Sequence, residues 1–418
     1  MTATIPRIEF TKEMRETYTI LAPNMVDIHF RILVSVFKSF GYNLELLSNT
    51  SDAMIDEGLQ FVHNDTCYPA LVTIGQMLDA LKSGKYDVNK TALLMTQTGG
   101  GCRASNYIHL LRKALVNAGY PNVPVISLGL VPGMEKNSGF KITAGFLRRA
   151  LATLAYGDIL MLLNNQVKPY EINKGESAEL VQKWVEFLSK KFANKEAYTQ
   201  KEMKHYFKEI VEDFAAIEIK RTPKVKVGIV GEIFVKYSPY ANNNLEDFLA
   251  KQDCEVMVPG LLSFMFYCVD NMIQDINLYG GSKIKRNMII MLTNYLTKYE
   301  TFLIEAVNKY SDFIAPSTFA HLKELAEPLI GVGCKMGEGW MLTAEMLELN
   351  EHGYGNIVCA QPFGCLPNHI VGKGMVRKLI NLHPEMNIVS LDYDPGMTKV
   401  NQENRIKLML AIAKEKMQ

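Results

Sequence analysis

Lys90–Tyr120, KTALLMTQTGGGCRASNYIHLLRKALVNAGY, reads in order as a strand, a glycine loop and a helix. KTALLMTQ is apolar along its length, as a strand buried on both faces of a parallel sheet must be. Gly99, Gly100 and Gly101 then let the backbone turn tightly and approach a bulky ligand. A helix follows through NYIHLLRKALVNAGY, and VPVISLGL supplies the next strand. Strand, helix, strand implies right-handed parallel crossovers and an open sheet. Cys102 sits where the glycine loop enters the helix, and loops at this edge of such a sheet are where ligands bind.

The pattern extends in both directions. Upstream, NLELLS at Asn43–Ser48 is the first strong strand, after a one-faced helix through IHFRILVSVFKSFGY. EGLQFVH reads as a further strand, ending at the loop that bears Cys67, and ALVTIGQMLDALKSG as a helix closing at Gly84. Downstream, AGFLRRALATLAYGDILMLLNN is helical. Residues 175–219 are helical and heavily charged, the pattern of a solvated helix or helix pair bridging two lobes. Pro223 in KRTPK (Lys220–Lys224) marks a boundary. A second unit then runs through the strands VKVGIVGEIFV, EVMVPG, NIVCAQPF and NIVSLDYD, with Leu261–Leu329 mostly helical. HIVGKGMVRKLINL is the helix between the last two strands, and NQENRIKLMLAIAKEK closes the chain. The expected fold is α/β: two similar lobes, 1–220 and 221–418, with mainly parallel open sheets flanked by helices and the site in the cleft between them.

Composition narrows the function classes. Hydrophobic residues at 48% and charged residues at 21% are those of an ordinary globular chain. A formal net charge of +1 gives no basic footprint for nucleic acid. No stretch has the apolar length of a spanning helix and the N-terminus has no apolar signal core, so no membrane association and a cytoplasmic location are expected. Seven cysteines in 418 residues are no disulfide scaffold.

Three cysteines fall in loops read as following strands and opening helices: Cys67 in FVHNDTCYPA, Cys102 in TGGGCRASNY and Cys365 in CAQPFGCLPNHI. Thiols there can ligate an iron–sulfur cluster and leave one iron open, and a helix start would favour the thiolate at Cys102. Gly100 and Gly101 belong to the same cofactor-binding loop. TGGGC lacks the Gly-Lys-Ser/Thr ending of a nucleotide loop, although a phosphorylated small molecule there is an alternative. Cys359, inside the apolar NIVCA, and Cys334, in GVGCKMGEGW, are reserve ligands; Cys254 and Cys268 read as structural. Glu338, an exposed-looking acid between two glycines, and His369, at a helix start, are the acid–base candidates. Asp392 and Asp394 in LDYDPG read as turn and capping residues. None of the cysteine spacings matches a compact zinc or ferredoxin signature, so the fold must assemble the site.

VHNDTCYPALVTIGQMLDALKSGKYD, TQTGGGCRASNYIHLLRKAL, VGIVGEI, GEGWMLTAEM, CAQPFGCLPNHIVGKGM and DYDPGMTKVNQENRIKLML together resemble the iron–sulfur proteins related to 2-hydroxyacyl-CoA dehydratases. The likeness is nearest to the branch often fused to an actin/Hsp70-type ATPase activator, and runs from about FTKEMRETYTI onward. It implies two α/β lobes with a [4Fe–4S] or double-cubane cluster between them, held by Cys67, Cys102 and Cys365, with Cys359 also inside the motif. It further implies a lyase or reductase component that receives an electron from an ATP-hydrolysing iron–sulfur activator and passes it to a CoA-thioester substrate. This chain carries no activator segment, so a separate activator polypeptide is expected, and a dimer is the expected assembly. The alternative is a non-catalytic electron-transfer or cluster-carrying subunit of a larger complex, which a fourth ligand, Cys334 or Cys359, would favour over an open iron.

Overall fold

The computed structural model describes residues 5, 7–63, 65–97, 101–129, 135 and 137–417. The chain runs α1 (Lys12–Thr17), β1 (Thr19–Ala22), α2 (Asp27–Ser39), β2 (Leu44–Leu46), α3 (Asp52–Phe61), α4 (Tyr68–Lys82), β3 (Thr91–Thr96), α5 (Tyr107–Asn117) and β4 (Val125–Leu128). Three long helices follow: α6 (Ala144–Val167), α7 (Glu176–Ala193) and α8 (Gln200–Ala215). Then come β5 (Val225–Gly231), α9 (Ile233–Tyr237), α10 (Leu245–Lys251), β6 (Cys254–Met257), α11 (Leu261–Tyr279), α12 (Lys283–Tyr310), α13 (Phe319–Ala326) and α14 (Met341–Glu351). β7 (Asn356–Pro362), α15 (Val376–Leu382), β8 (Asn387–Tyr393) and α16 (Lys399–Lys416) complete it.

The fold is α/β, with two four-stranded, wholly parallel sheets. Their orders correspond: β2-β1-β3-β4 and β6-β5-β7-β8. Alternation along the strands sorts the core. Ile20 and Ala92 face one cluster, while Leu21 and Leu93 face another packed on α4 and α5 through Ile74 and Ile108. The cluster of Ile20 and Ala92 also contains Val227 and Ile229 of the second sheet, so one apolar core joins both sheets.

α6 lies inside that core. Its residues from Leu151 to Leu163 are buried without a polar face, as in a helix packed on all sides. Its single acid, Asp158, is a polar joint: Oδ1 lies 2.8 Å from His29 Nε2 and accepts the Leu261 amide at 2.7 Å, while Oδ2 accepts the Leu262 amide at 2.8 Å. A carboxylate on the first amides of α11 satisfies donors that the helix leaves open.

Three expectations are corrected. One of the two central strands of the first sheet is β1, which the sequence reading passed over because four residues give too little alternation to detect. EGLQFVH is not a strand: most of it lies in α3, so Cys67 joins two helices rather than following a strand. α3 and α4 approach closely enough that a Cβ on Gly75 would come 2.0 Å from the Met54 carbonyl oxygen. The charged α7 and α8 are not simply solvated, since each buries an apolar stripe (Trp184 and Leu188; Phe207 and Ile210) against the rest of the molecule. Among the described residues no helix is long and apolar enough to cross a membrane.

Glu348, which is buried, and Glu300, which is half-buried, clamp the start of α13. Glu300 accepts the Phe319 amide and Glu348 the Ser317 amide, each at 2.7 Å. Burial raises both carboxyls from 4.5 to about 7. Because the folded value exceeds the unfolded one, their contribution is full below pH 4.5 and is lost as pH rises through about 7. Stability should therefore fall over that window. Glu348→Gln should remove about 2 kcal/mol of the fall, measured as urea midpoints at pH 5 and pH 8. A slope unchanged by the variant would contradict the assignment.

Candidate functional site

In each sheet the order reverses direction between its first and third strands in the chain, opening a crevice outside the strand ends. Cys102 follows β3 and Cys365 follows β7, the equivalent strands of the two sheets. Glu232 directly follows β5. Cys67 precedes α4, whose second residue, Pro69, suits the opening turn of a helix.

The loops of the three cysteines meet. Gly364 turns with φ 75°, and a Cβ there would lie 3.6 Å from Cys67 Cα. The Tyr68 amide donates to the Phe363 carbonyl at 3.4 Å, tying the Cys67 and Cys365 loops together. Gly337, at φ 60°, is wedged between the other two: a Cβ on it would lie 2.9 Å from Pro367 Cγ and 3.9 Å from Cys102 Sγ. The Gly101 amide reaches Met336 Sδ at 3.1 Å. Gly100 lies outside the described residues.

Two thiols have hydrogen-bond partners. Cys67 Sγ is 2.8 Å from the Tyr107 hydroxyl, and Cys365 Sγ accepts from Asn368 Nδ2 at 3.3 Å. Burial raises all three thiols, Cys102 to about 11. The amide of Ala104 opposes this at Cys102, while Glu338 and Glu232 add to it. The expected thiolate at Cys102 is thus reversed: desolvation outweighs the helix start. Ligating a cation here must displace protons.

Glu338 is buried rather than exposed. The glycines on either side fold it inward, where Oε1 accepts the Ile233 amide at 2.9 Å and Oε2 accepts from Asn368 Nδ2 at 3.4 Å. Glu232 caps the same short helix, accepting the Val235 amide at 2.9 Å. Burial raises both carboxyls, and the charge of Glu338 raises Glu232 further, so the pair favours holding a proton. Behind them Lys236 Nζ contacts both oxygens of Glu345 at 2.9 and 3.1 Å.

The His369 imidazole meets Gln361 and Asp392, with Nδ1 3.4 Å from Gln361 Nε2 and Nε2 4.0 Å from Asp392, while its amide donates to the Cys365 carbonyl at 3.1 Å. Asp392 is a strand residue that accepts from Gln361 rather than a turn residue; Asp394 does form the turn, accepting the Gly396 amide at 2.7 Å. Cys359 is fully buried within β7, its Sγ 3.2 Å from where a Cβ on Gly372 would stand. Cys334 lies in the loop before α14, its carbonyl accepting the Trp340 amide. Cys254 is in β6 and Cys268 in α11.

The donor set bears on which metal group fits. Among the described residues no three or more His, Cys, Asp or Glu side chains gather as a single ion requires. A multi-iron cluster places its thiolates at its outer corners and spans more space. Three thiols on loops from both lobes, with a hydroxyl and a side-chain amide able to donate to sulfur, suit such a group.

Three site residues escaped the sequence reading: Glu232, Asn368 and Tyr107. Glu232 was detectable, because it stands at a strand end just as Cys102 does. Asn368 and Tyr107 carry no signal of their own until the fold turns them onto sulfur. The chain matches no protein-family model and no curated protein.

Proposed function

We propose that this chain is the cluster-carrying component of an ATP-activated, low-potential reductase or dehydratase system. Cys67, Cys102 and Cys365 would hold the [4Fe–4S] or double-cubane cluster. The observation supporting this most is the meeting of the Cys67 loop with the Cys102 and Cys365 loops, which leave equivalent strands at the reversal points of two parallel sheets. When bound, the group supplies single electrons at low potential and an iron that can act as a Lewis acid.

The chain's own residues have separable tasks. Asn368 and Tyr107 donate to sulfur, which stabilises negative charge there and so adjusts the potential. Glu232 and Glu338 keep a proton near the thiols at neutral pH, available to a departing hydroxyl group. The cysteine loops carry an exposed apolar rim of Met336, Phe363, Leu366 and Ile370, suited to the small, transient contact of an electron donor. That donor would be a separate ATP-hydrolysing iron–sulfur activator.

Anaerobic reconstitution with ferrous iron and sulfide tests the reading. Expected are matched iron and sulfide contents, a brown chromophore and an EPR signal on reduction. A colourless protein with no bound iron would overturn it. With the cluster in place, turnover should require both the activator and ATP, and turnover without them would remove the activator from the scheme.

A further inference from the structure

A cavity of about 810 Å³ lies beside the thiol loops and is walled by both lobes. Asn24 and Ser48, past β1 and β2, contribute from one side, and Ser238 and Asp394, past β5 and β8, from the other. It therefore lies outside the carboxyl ends of strands in both sheets, where open α/β folds take ligands. Tyr68, next to Cys67, and Phe234, two residues beyond Glu232, set it against the candidate site. Bonds from the lining reach across its walls: the Tyr240 hydroxyl donates to the Ser51 carbonyl at 3.2 Å, and Asn243 Nδ2 donates to Gln402 Oε1 at 2.7 Å.

The charges on this wall are unequal. Asp27, Asp56 and Asp394 line it against one cation, Lys399. Lys399 is itself 3.9 Å from Glu403, while Asp27 is partly offset by Arg31 at 3.4 Å. Among the described residues, the Asp394 carboxylate is held by the Gly396 amide and Asp56 forms no ion pair. A polyphosphate such as that of coenzyme A needs cations or a cluster of amides, and this lining offers it carboxylates. Tyr68, Tyr240, Tyr393 and Phe234 add aromatic surface, which attracts cations through the ring faces.

We infer that this cavity binds a small organic cation, an amine or quaternary ammonium compound, with its charge toward Asp56 and Asp394 and its body against the aromatic wall. Coenzyme A is not its ligand. The inference does not depend on iron and can be tested on the apo chain, so its failure and that of the cluster reading are separable.

The experiment is thermal unfolding of the full apo chain titrated with putrescine, choline, acetate and coenzyme A, followed by calorimetry on whichever binds. Putrescine or choline should raise the midpoint saturably, and which of the two does so distinguishes primary amine from quaternary ammonium. Asp394→Asn and Asp56→Asn should each weaken that binding about ten-fold. Asp394→Asn keeps an oxygen for the Gly396 amide, so its fold should survive, and the Asp56 carboxylate has no ion pair or hydrogen bond to lose among the described residues. Stabilisation by coenzyme A but not by the cations would overturn the inference. So would the absence of any cation effect, or cation binding of equal strength in both variants.

Discussion

Cys102→Ser is expected to deplete bound iron and sulfide at least ten-fold after anaerobic reconstitution, whereas Cys268→Ser leaves both near the wild-type level. The contrast follows from position. Cys102 stands after the third strand of its sheet, against Gly337 of the other lobe, in electrostatic contact with Cys67, Glu232 and Glu338. Cys268 lies within α11, where burial and, less strongly, the charge of Glu338 raise its thiol to about 12. Serine is close in size to cysteine, so neither change should disturb packing, but an alcohol is a far poorer ligand for iron than a thiolate. Cys67→Ser and Cys365→Ser should follow Cys102→Ser. Asn368→Ala should retain iron while shifting the reduction potential downward, because one donor to sulfur is lost and the oxidised state is then favoured. The readouts are iron and sulfide contents, and a spectroelectrochemical titration for Asn368→Ala. Equal iron in the Cys102 and Cys268 variants would contradict the ligand assignment.

How much of this was legible in the chain depended on element length and on partners distant in sequence. β3, β5, β7 and β8 are six or seven residues each and mostly apolar, and all four were readable. β1 has four residues, and its place at the sheet centre is set by pairing with β2 and β3 rather than by its own pattern. Residues 57–63 were misread because a short segment of mixed polarity does not separate a period of two from one of 3.6. The helix instead follows from packing against α4 at Gly58 and Gly75. At the site, the cysteine loops were visible through their glycines and prolines. Glu338 was visible as a residue but not as a buried one, since its partners Ile233 and Asn368 are 105 and 30 positions away. The direction of the Cys102 shift was misjudged for the same reason: a helix start is local, whereas desolvation depends on everything the fold packs around the thiol.

Lys236→Met should cost about 3–5 kcal/mol of stability at neutral pH, the range for removing one partner of a buried ion pair. Lys236 and Glu345 are almost wholly shielded from solvent, and the ammonium touches both carboxylate oxygens. Its charge also opposes the upward shift that burial imposes on Glu232, Glu338 and Glu345. Without it, Glu232, Glu338 and Glu345 share one region with no cation among the described residues in hydrogen-bond contact. Their folded-state pKa values then rise further above the unfolded value, so the deficit should shrink as pH falls and the acids take up protons. The double variant Lys236→Met/Glu345→Leu should recover most of the loss, because it removes the stranded charge and leaves apolar volume in its place. Urea midpoints of the three proteins at pH 5.5 and 7.5 test this. A double variant no more stable than Lys236→Met would mean that the loss came from packing rather than charge. Iron content links the pair to the site: if Lys236 serves the acids and not the thiols, the double variant should reconstitute with wild-type iron while the proton-holding of Glu232 and Glu338 shifts to higher pH. Lost iron in a stably folded double variant would instead make this ion pair part of what holds the thiol loops in position.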